Sequence, residues 1–187
     1  EGEYSPKFAA HFDSVYLNAK LFERIKTLHK NRETLGLDAQ GVRLIERYYT
    51  DFMRSGANLT DAQKTRVKAI NSELATLSTQ FSQNVLAEVN DSAIIVSDRA
   101  ELAGLSDEQI AGFAESAKEK NMPGKYRIAL VNTTIQPILP QLDNRALRER
   151  IHKASVARGA RGNEWDNRAI VSKVTKLRAE RAAIMGY

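Results

Sequence analysis

The sequence predicts a mainly α fold: a helical bundle of long amphipathic helices with a small two-stranded β insert. Three observations carry that expectation. Apolar residues recur every three or four positions over most of the chain. Two capping signatures, Thr60-Asp61-Ala62-Gln63 and Ser106-Asp107-Glu108-Gln109, mark helix starts. The period changes to a strand-like one at Ile94-Ile95-Val96 and across 126–131. An apolar share of 42% against 27% charged residues is ordinary globular usage, which sets disorder and fibrous repeats aside.

In chain order, segment 14–30 places Val15, Leu17, Leu21, Ile25 and Leu28 at helical spacing, with Lys20, Glu23, Arg24 and Lys26 facing water, so one amphipathic helix is expected there. Gly36 ends that run and Asp38 is placed to cap a second helix. Val42, Leu44, Ile45, Tyr48, Tyr49 and Phe52 give the second helix a wide apolar face before Ser55-Gly56. Helices joined so briefly are expected to lie antiparallel. The third starts at the Thr60 box, and its series Val67, Ile70, Leu74, Leu77, Phe81, Val85 continues for about five turns, which makes it the longest element. It falls short of sustained heptads, so packing in a bundle is expected rather than a coiled coil.

Beyond Asn90-Asp91, the runs at 94–96 and 126–131 are expected to pair, with a helix from Ser106 to about Lys120 between them that closes at Pro123-Gly124. Pro137 and Pro140 punctuate the next stretch, and Asp143 or Asn144 is placed to cap a helix through Ala157. Arg158-Gly159-Ala160-Arg161-Gly162 is expected to be a flexible basic loop, and a last helix from about Asp166 carries Ile170, Val174, Leu177 and Ile184 on one face. No repeat of fixed period appears, which disfavours a solenoid. The expected organisation is a single helical domain over 1–187, a fragment of a larger protein. It divides into a helical hairpin plus long helix at 1–91, a β-helix-β insert at 92–140 and a basic helical pair at 141–187.

Cysteine is absent, which excludes disulfides, thiolate nucleophiles and thiolate metal sites. No apolar run is long enough to span a bilayer, and the acidic start Glu1-Gly2-Glu3-Tyr4 is unlike a signal peptide, so no membrane partner is expected. A start without methionine, and an end at Gly186-Tyr187 straight after a helix, suggest a piece of something longer. The expected compartment is cytoplasmic, or periplasmic if a signal peptide has been removed. The net charge of +5 is concentrated late: from residue 145 onward, eleven arginines and lysines face four acidic residues.

Candidate chemistry is sparse. The histidines, His11, His29 and His152, do not form the H-E-x-x-H pair that offers zinc two imidazoles one helical turn apart. His29, near a helix C-terminus, and His152, among arginines, read as surface or capping residues. No serine sits in a G-x-S-x-G elbow or an S-x-x-K arrangement, and the glycines of 158–162 lack a Walker lysine and a preceding strand. The basic last third lacks interleaved aromatics other than Trp165, so nucleic acid is not the expected partner. Tyr48 and Tyr49 are assigned to the core by their helical spacing.

A resemblance then runs along the chain. It is carried by Pro6-Lys7-Phe8-Ala9-Ala10-His11, Val15-Tyr16-Leu17-Asn18 and Arg32-Glu33-Thr34-Leu35-Gly36-Leu37, then by the run 74–84 and Leu102-Ala103-Gly104-Leu105-Ser106. It continues through Asn132-Thr133-Thr134-Ile135-Gln136-Pro137, Arg145-Ala146-Leu147-Arg148-Glu149 and Leu177-Arg178-Ala179-Glu180-Arg181. Together these resemble the N-terminal helical region of M3-family zinc metallopeptidases, nearest to bacterial peptidyl-dipeptidases and the oligopeptidase A and thimet oligopeptidase-like enzymes.

The resemblance implies a parent of two helix-rich lobes across a channel, with zinc held later in its sequence and C-terminal dipeptides as product. No catalytic or metal-binding residue carries over to this chain. It is expected to be inactive alone, to hold no cofactor itself, and to partner the catalytic lobe of its own polypeptide and short peptide substrates. Asn132, Thr133, Thr134 and Gln136 are the candidate channel residues, since their amides and hydroxyls can bond an extended peptide. A structural turn before Pro137 is the preferred reading of the same run. The rival function is a free-standing basic helical interaction module that binds an acidic partner or nucleic acid.

Overall fold

The helical periodicity is realised in eight α-helices among residues 2–187, which the computed structural model describes. They fall into two compact units, Glu1–Gln80 with Ala169–Tyr187, and Phe81–Arg168.

Unit one holds α1 (Ser5–Tyr16), α2 (Ala19–Asn31), α3 (Ala39–Ser55), α4 (Asp61–Asp91) as far as Gln80, and α8 (Arg168–Met185) from Ala169. The single helix expected over 14–30 is two. Asn18 takes an extended backbone (φ −74°, ψ 108°), and its side chain accepts the Leu21 N–H at 3.0 Å, so it closes one helix and caps the next. Pro6 opens α1, where its missing N–H leaves no bond unmade. Asp38 accepts the Gly41 N–H at 2.8 Å, and Gly56 ends α3 at φ +98°, a conformation open to glycine. Gln63 Oε1 accepts the Thr60 N–H at 3.0 Å while Thr60 Oγ1 accepts the Gln63 N–H at 3.4 Å, closing the expected box.

Two apolar clusters fill this unit. Phe22, Phe52 and Ala57 are buried against Tyr16 and Tyr49, with the Tyr16 and Phe52 rings 5.0 Å apart. Ile70, Leu74 and Leu177 form the second, which fastens α8 to α4. Polar bonds fix the same pairing. Arg66 is bidentate to Glu180 at 2.5 and 2.7 Å, and Lys173 pairs with Glu73. Arg181 donates to Asn71 Oδ1 at 3.0 Å, and Asn71 donates to Asp13 Oδ1 at 2.8 Å, a relay from α8 through α4 to α1. Burial pushes the Asp13 carboxyl above the usual carboxylate range, against the opposing pull of Asn71, Lys68 and Arg181. The apolar stripe of α4 is buried at Val67, Ile70 and Leu74 but exposed at Phe81 and Val85.

Unit two is built around β1 (Ile94–Val96) and β2 (Tyr126–Ile128), antiparallel with Ile94 opposite Ile128 and Val96 opposite Tyr126. The strand expected over 126–131 stops at Ile128. Helix α5 (Asp107–Glu119) begins at the Ser106–Gln109 box and packs on β2. It is followed by α6 (Asn132–Ile138) and α7 (Arg145–Val156), the latter capped by Asn144 accepting the Leu147 N–H at 3.0 Å. Leu102, Ile128, Leu130, Leu147 and Ile151 are fully enclosed in its core. Gly104 is required there: at φ +93°, a Cβ would lie 2.0 Å from the Gln141 carbonyl oxygen. The two helices grouped at 141–187 fall in different units, α7 in unit two and α8 in unit one.

The Asp13 site makes a pH-dependent prediction. Its carboxyl binds a proton more tightly folded than unfolded, so its ionisation opposes folding above the raised pKa, and that opposition disappears as pH falls through it. Urea unfolding of Asp13→Asn should therefore show greater stability than the parent at neutral pH, with the difference closing on acidification.

Candidate functional site

The four candidate residues of the sequence lie on α6, a seven-residue helix rather than the turn preferred above. Ile135 and Ile138, three apart, bury into the unit-two core and hold the segment helical despite its β-branched threonines. Asn132, Thr133 and Gln136 are consequently exposed together, and Thr134 is half-buried. Pro137 sits inside the helix and has no N–H to give the Thr133 carbonyl four residues back. Arg158 Nη2 donates to Asn132 Oδ1 at 3.0 Å, and its Nη1 donates to the Leu130 carbonyl at 2.6 Å, which fixes the start of α6.

The loop 158–162, expected to be flexible, is bonded to α4 through a buried carboxylate. Glu88 is among the most enclosed charged residues, with 3% of its side chain exposed. One oxygen lies 3.0 Å from Arg161 Nε, an ion pair made off the hydrogen-bond axis, and the other accepts the Gly159 N–H. Asn167 extends the seam: its N–H reaches the Gly159 carbonyl at 2.8 Å, and its Oδ1 accepts from Asn84 at 2.9 Å. Sequence reading missed Glu88, because nothing in its local pattern separates it from a solvated helix glutamate.

Other cations of the basic last third are similarly engaged. Arg148 and Arg150 donate to backbone carbonyls at Leu142 and Ile95, Lys153 pairs with Glu149, and Arg168 with Asp166. With Arg158, Arg161, Lys173 and Arg181, eight of the eleven cations hold partners within the chain.

His11, His29 and His152 lie on α1, α2 and α7 respectively. His29 stacks on Tyr49, ring centroids 4.0 Å apart and planes within 10°. Among the described residues no three His, Cys, Asp or Glu side chains gather as a metal site, so the donors present do not fit zinc. No helix among them is long and apolar enough to cross a membrane.

An apolar groove of about 340 Å³ opens in unit one along α2 and α3, lined by Val15, Leu21, Ile25, Leu28, Leu44 and Tyr48. Tyr48, assigned to the core with Tyr49, is instead 48% exposed on its wall. Sequence patterning gave no sign of it, since the same helical spacing serves core and groove alike.

No family model matches the chain. Individual relatives match it along its length. Dipeptidyl carboxypeptidase of Escherichia coli is 38% identical over 185 residues, which cover 99% of the chain and 27% of that protein. Its namesake from Salmonella typhimurium is 38% identical over 184 residues, 98% of the chain and 27% of that protein. Oligopeptidase A of Haemophilus influenzae is 33% identical over 147 residues, 76% and 21% respectively. The chain belongs to the M3 family of peptidases. It spans about a quarter of the length of the first two M3 relatives, 27% in each case. Its M3 character therefore rests on the sequence match along these helices.

The Glu88 seam yields a second prediction. Glu88→Ala leaves Arg161 half-buried without its counter-ion and frees the Gly159 N–H, so it should lower stability by about 3–5 kcal/mol in chemical denaturation. A change under about 1 kcal/mol would show that the seam does not hold the loop.

Proposed function

We propose that the chain is the non-catalytic N-terminal helical part of a zinc peptidyl-dipeptidase that releases C-terminal dipeptides from short peptides. The observation that carries this reading is a match to dipeptidyl carboxypeptidase over 99% of the chain but only 27% of that enzyme. On this reading the metal-holding residues belong to the remainder of the polypeptide, in keeping with the lack of a His, Cys, Asp or Glu cluster among the described residues. Held by that remainder, zinc would supply Lewis-acid polarisation of the scissile carbonyl.

The part assigned to these residues is a wall of the substrate channel. A rigid helical wall admits extended, short peptides and excludes folded chains. The exposed side of α6 suits that role. Asn132, Thr133 and Gln136 present amide and hydroxyl groups from an anchored helix, and Pro137 withholds a donor from the Thr133 carbonyl. Arg158 fixes the Asn132 amide, so its bond to a peptide needs no ordering of the side chain.

The test compares two proteins on a blocked tripeptide in the presence of zinc: the full-length gene product and the 187-residue chain. Dipeptide release by the full-length protein alone is the expected result; release by the chain alone, or by neither, contradicts the reading. Within the full-length enzyme, Gln136→Ala should raise KM by about 2- to 10-fold with kcat little changed, the loss of roughly one uniform hydrogen bond. An unchanged KM removes Gln136 from the channel.

A further inference from the structure

Tyr4 at the N-cap of α1, and Phe8 and Phe12 within the helix, stand at intervals of four on one face, 57%, 62% and 58% exposed. Val15, three residues beyond Phe12, continues that stripe and also lines the apolar groove, so stripe and groove form one surface. On its far side Leu28, Leu44 and Tyr48 are 45%, 54% and 48% exposed. A soluble monomer rarely leaves so many large side chains uncovered in one contiguous patch. Next to the groove, a recess of about 410 Å³ holds Leu44 between Arg43 and Arg47, whose side chains are 81% and 77% exposed.

We propose that this face is a helix-docking seat, and that its occupant is an amphipathic helix with an acidic flank from the rest of the same M3 polypeptide. The inference rests on the reading above that the chain is part of a longer peptidase. Three features of the surface select that occupant. The relatives run to nearly four times the matched length, the chain spanning 27% of each of two of them, so ample polypeptide lies outside it. A stripe of ring faces one residue wide, leading into a two-helix groove, fits the i, i+3, i+4, i+7 anchors of a helix. Arg43 and Arg47 on the rim pair only loosely with Glu46 and Asp51 of their own helix, at 3.5 and 3.8 Å and largely in solvent, and so remain able to complement acidic residues beside those anchors. Docking within one polypeptide also costs less entropy than capture of a separate protein.

The experiment is hydroxyl-radical footprinting of the full-length protein, at a concentration where sedimentation shows a monomer. Phe8, Phe12 and Tyr48 should oxidise about tenfold more slowly than in the same protein denatured, as buried groups do. Rates near the denatured ones overturn the proposal. So does protection that appears only when the protein dimerises, because a second copy is then the occupant. Arg43→Glu combined with Arg47→Glu should lower the unfolding midpoint in dilute buffer, with the deficit shrinking at high salt. Because Arg43 and Arg47 also face Glu46 and Asp51 on their own helix, the pair is reversed in a Glu46→Gln, Asp51→Asn background as well; an unchanged midpoint in that background overturns the acidic flank. Peptidase activity is read on the same sample. A protected but inactive protein sinks the functional reading and leaves the docking seat standing, whereas an active protein with a reactive stripe sinks the seat alone.

Discussion

Helix α4 is the element on which both units depend, because each is built on a different stretch of it. Its first half offers apolar atoms: Val67 and Ile70 are wholly enclosed, and Leu74 nearly so. Burial of that kind is non-directional and contributes by area, about 25 cal/mol for each Å² removed from water. It fastens α8 without fixing its register. Register comes from the polar contacts beside it, the bidentate Arg66–Glu180 pair and the Arg181–Asn71–Asp13 relay. The second half of α4 offers Asn84 and Glu88 instead, both buried. A buried carboxylate is tolerated only with partners, and this one dictates that the 158–167 segment close over it.

That division explains which parts of the fold were legible in the sequence. Caps were, because a cap is a local bond between residues three apart: Asp38, Thr60 and Ser106 stand where the pattern put them, and of the two candidates Asp143 and Asn144 it is Asn144 that caps α7. The pairing of Ile94-Ile95-Val96 with the run at 126 was legible from the change of period. The break at Asn18 was not, since Val15, Leu17 and Leu21 keep helical spacing straight across it. The signal was Asn18 itself, a good N-cap lying inside an apolar rhythm. Helix α6 was hidden by two β-branched threonines and a proline, which argue against helix locally and lose to the burial of Ile135 and Ile138.

Long-range polar contacts were invisible for a different reason. Arg66 and Glu180 are 114 residues apart, and Glu88 and Gly159 are 71 apart, so neither partner marks the other in any window. The candidate site shares this. The sequence pointed to Asn132, Thr133, Thr134 and Gln136 as a run, but which of them reach solvent is decided by the face of α6 that the core takes. The family was legible from assembled motifs, and the relatives match nearly the whole chain. The sequence holds no H-E-x-x-H pair, and its histidines are dispersed over α1, α2 and α7.

The central physical claim is that α4 is held along its whole length, by apolar contact in one unit and by the buried Glu88 in the other. Native-state hydrogen exchange resolved to peptides within 61–91, in the full-length protein, tests it most directly. The account predicts slow exchange both around Ile70–Leu74 and around Asn84–Glu88, with opening free energies near that of global unfolding. Rapid exchange of the second stretch beside a protected first one would contradict it.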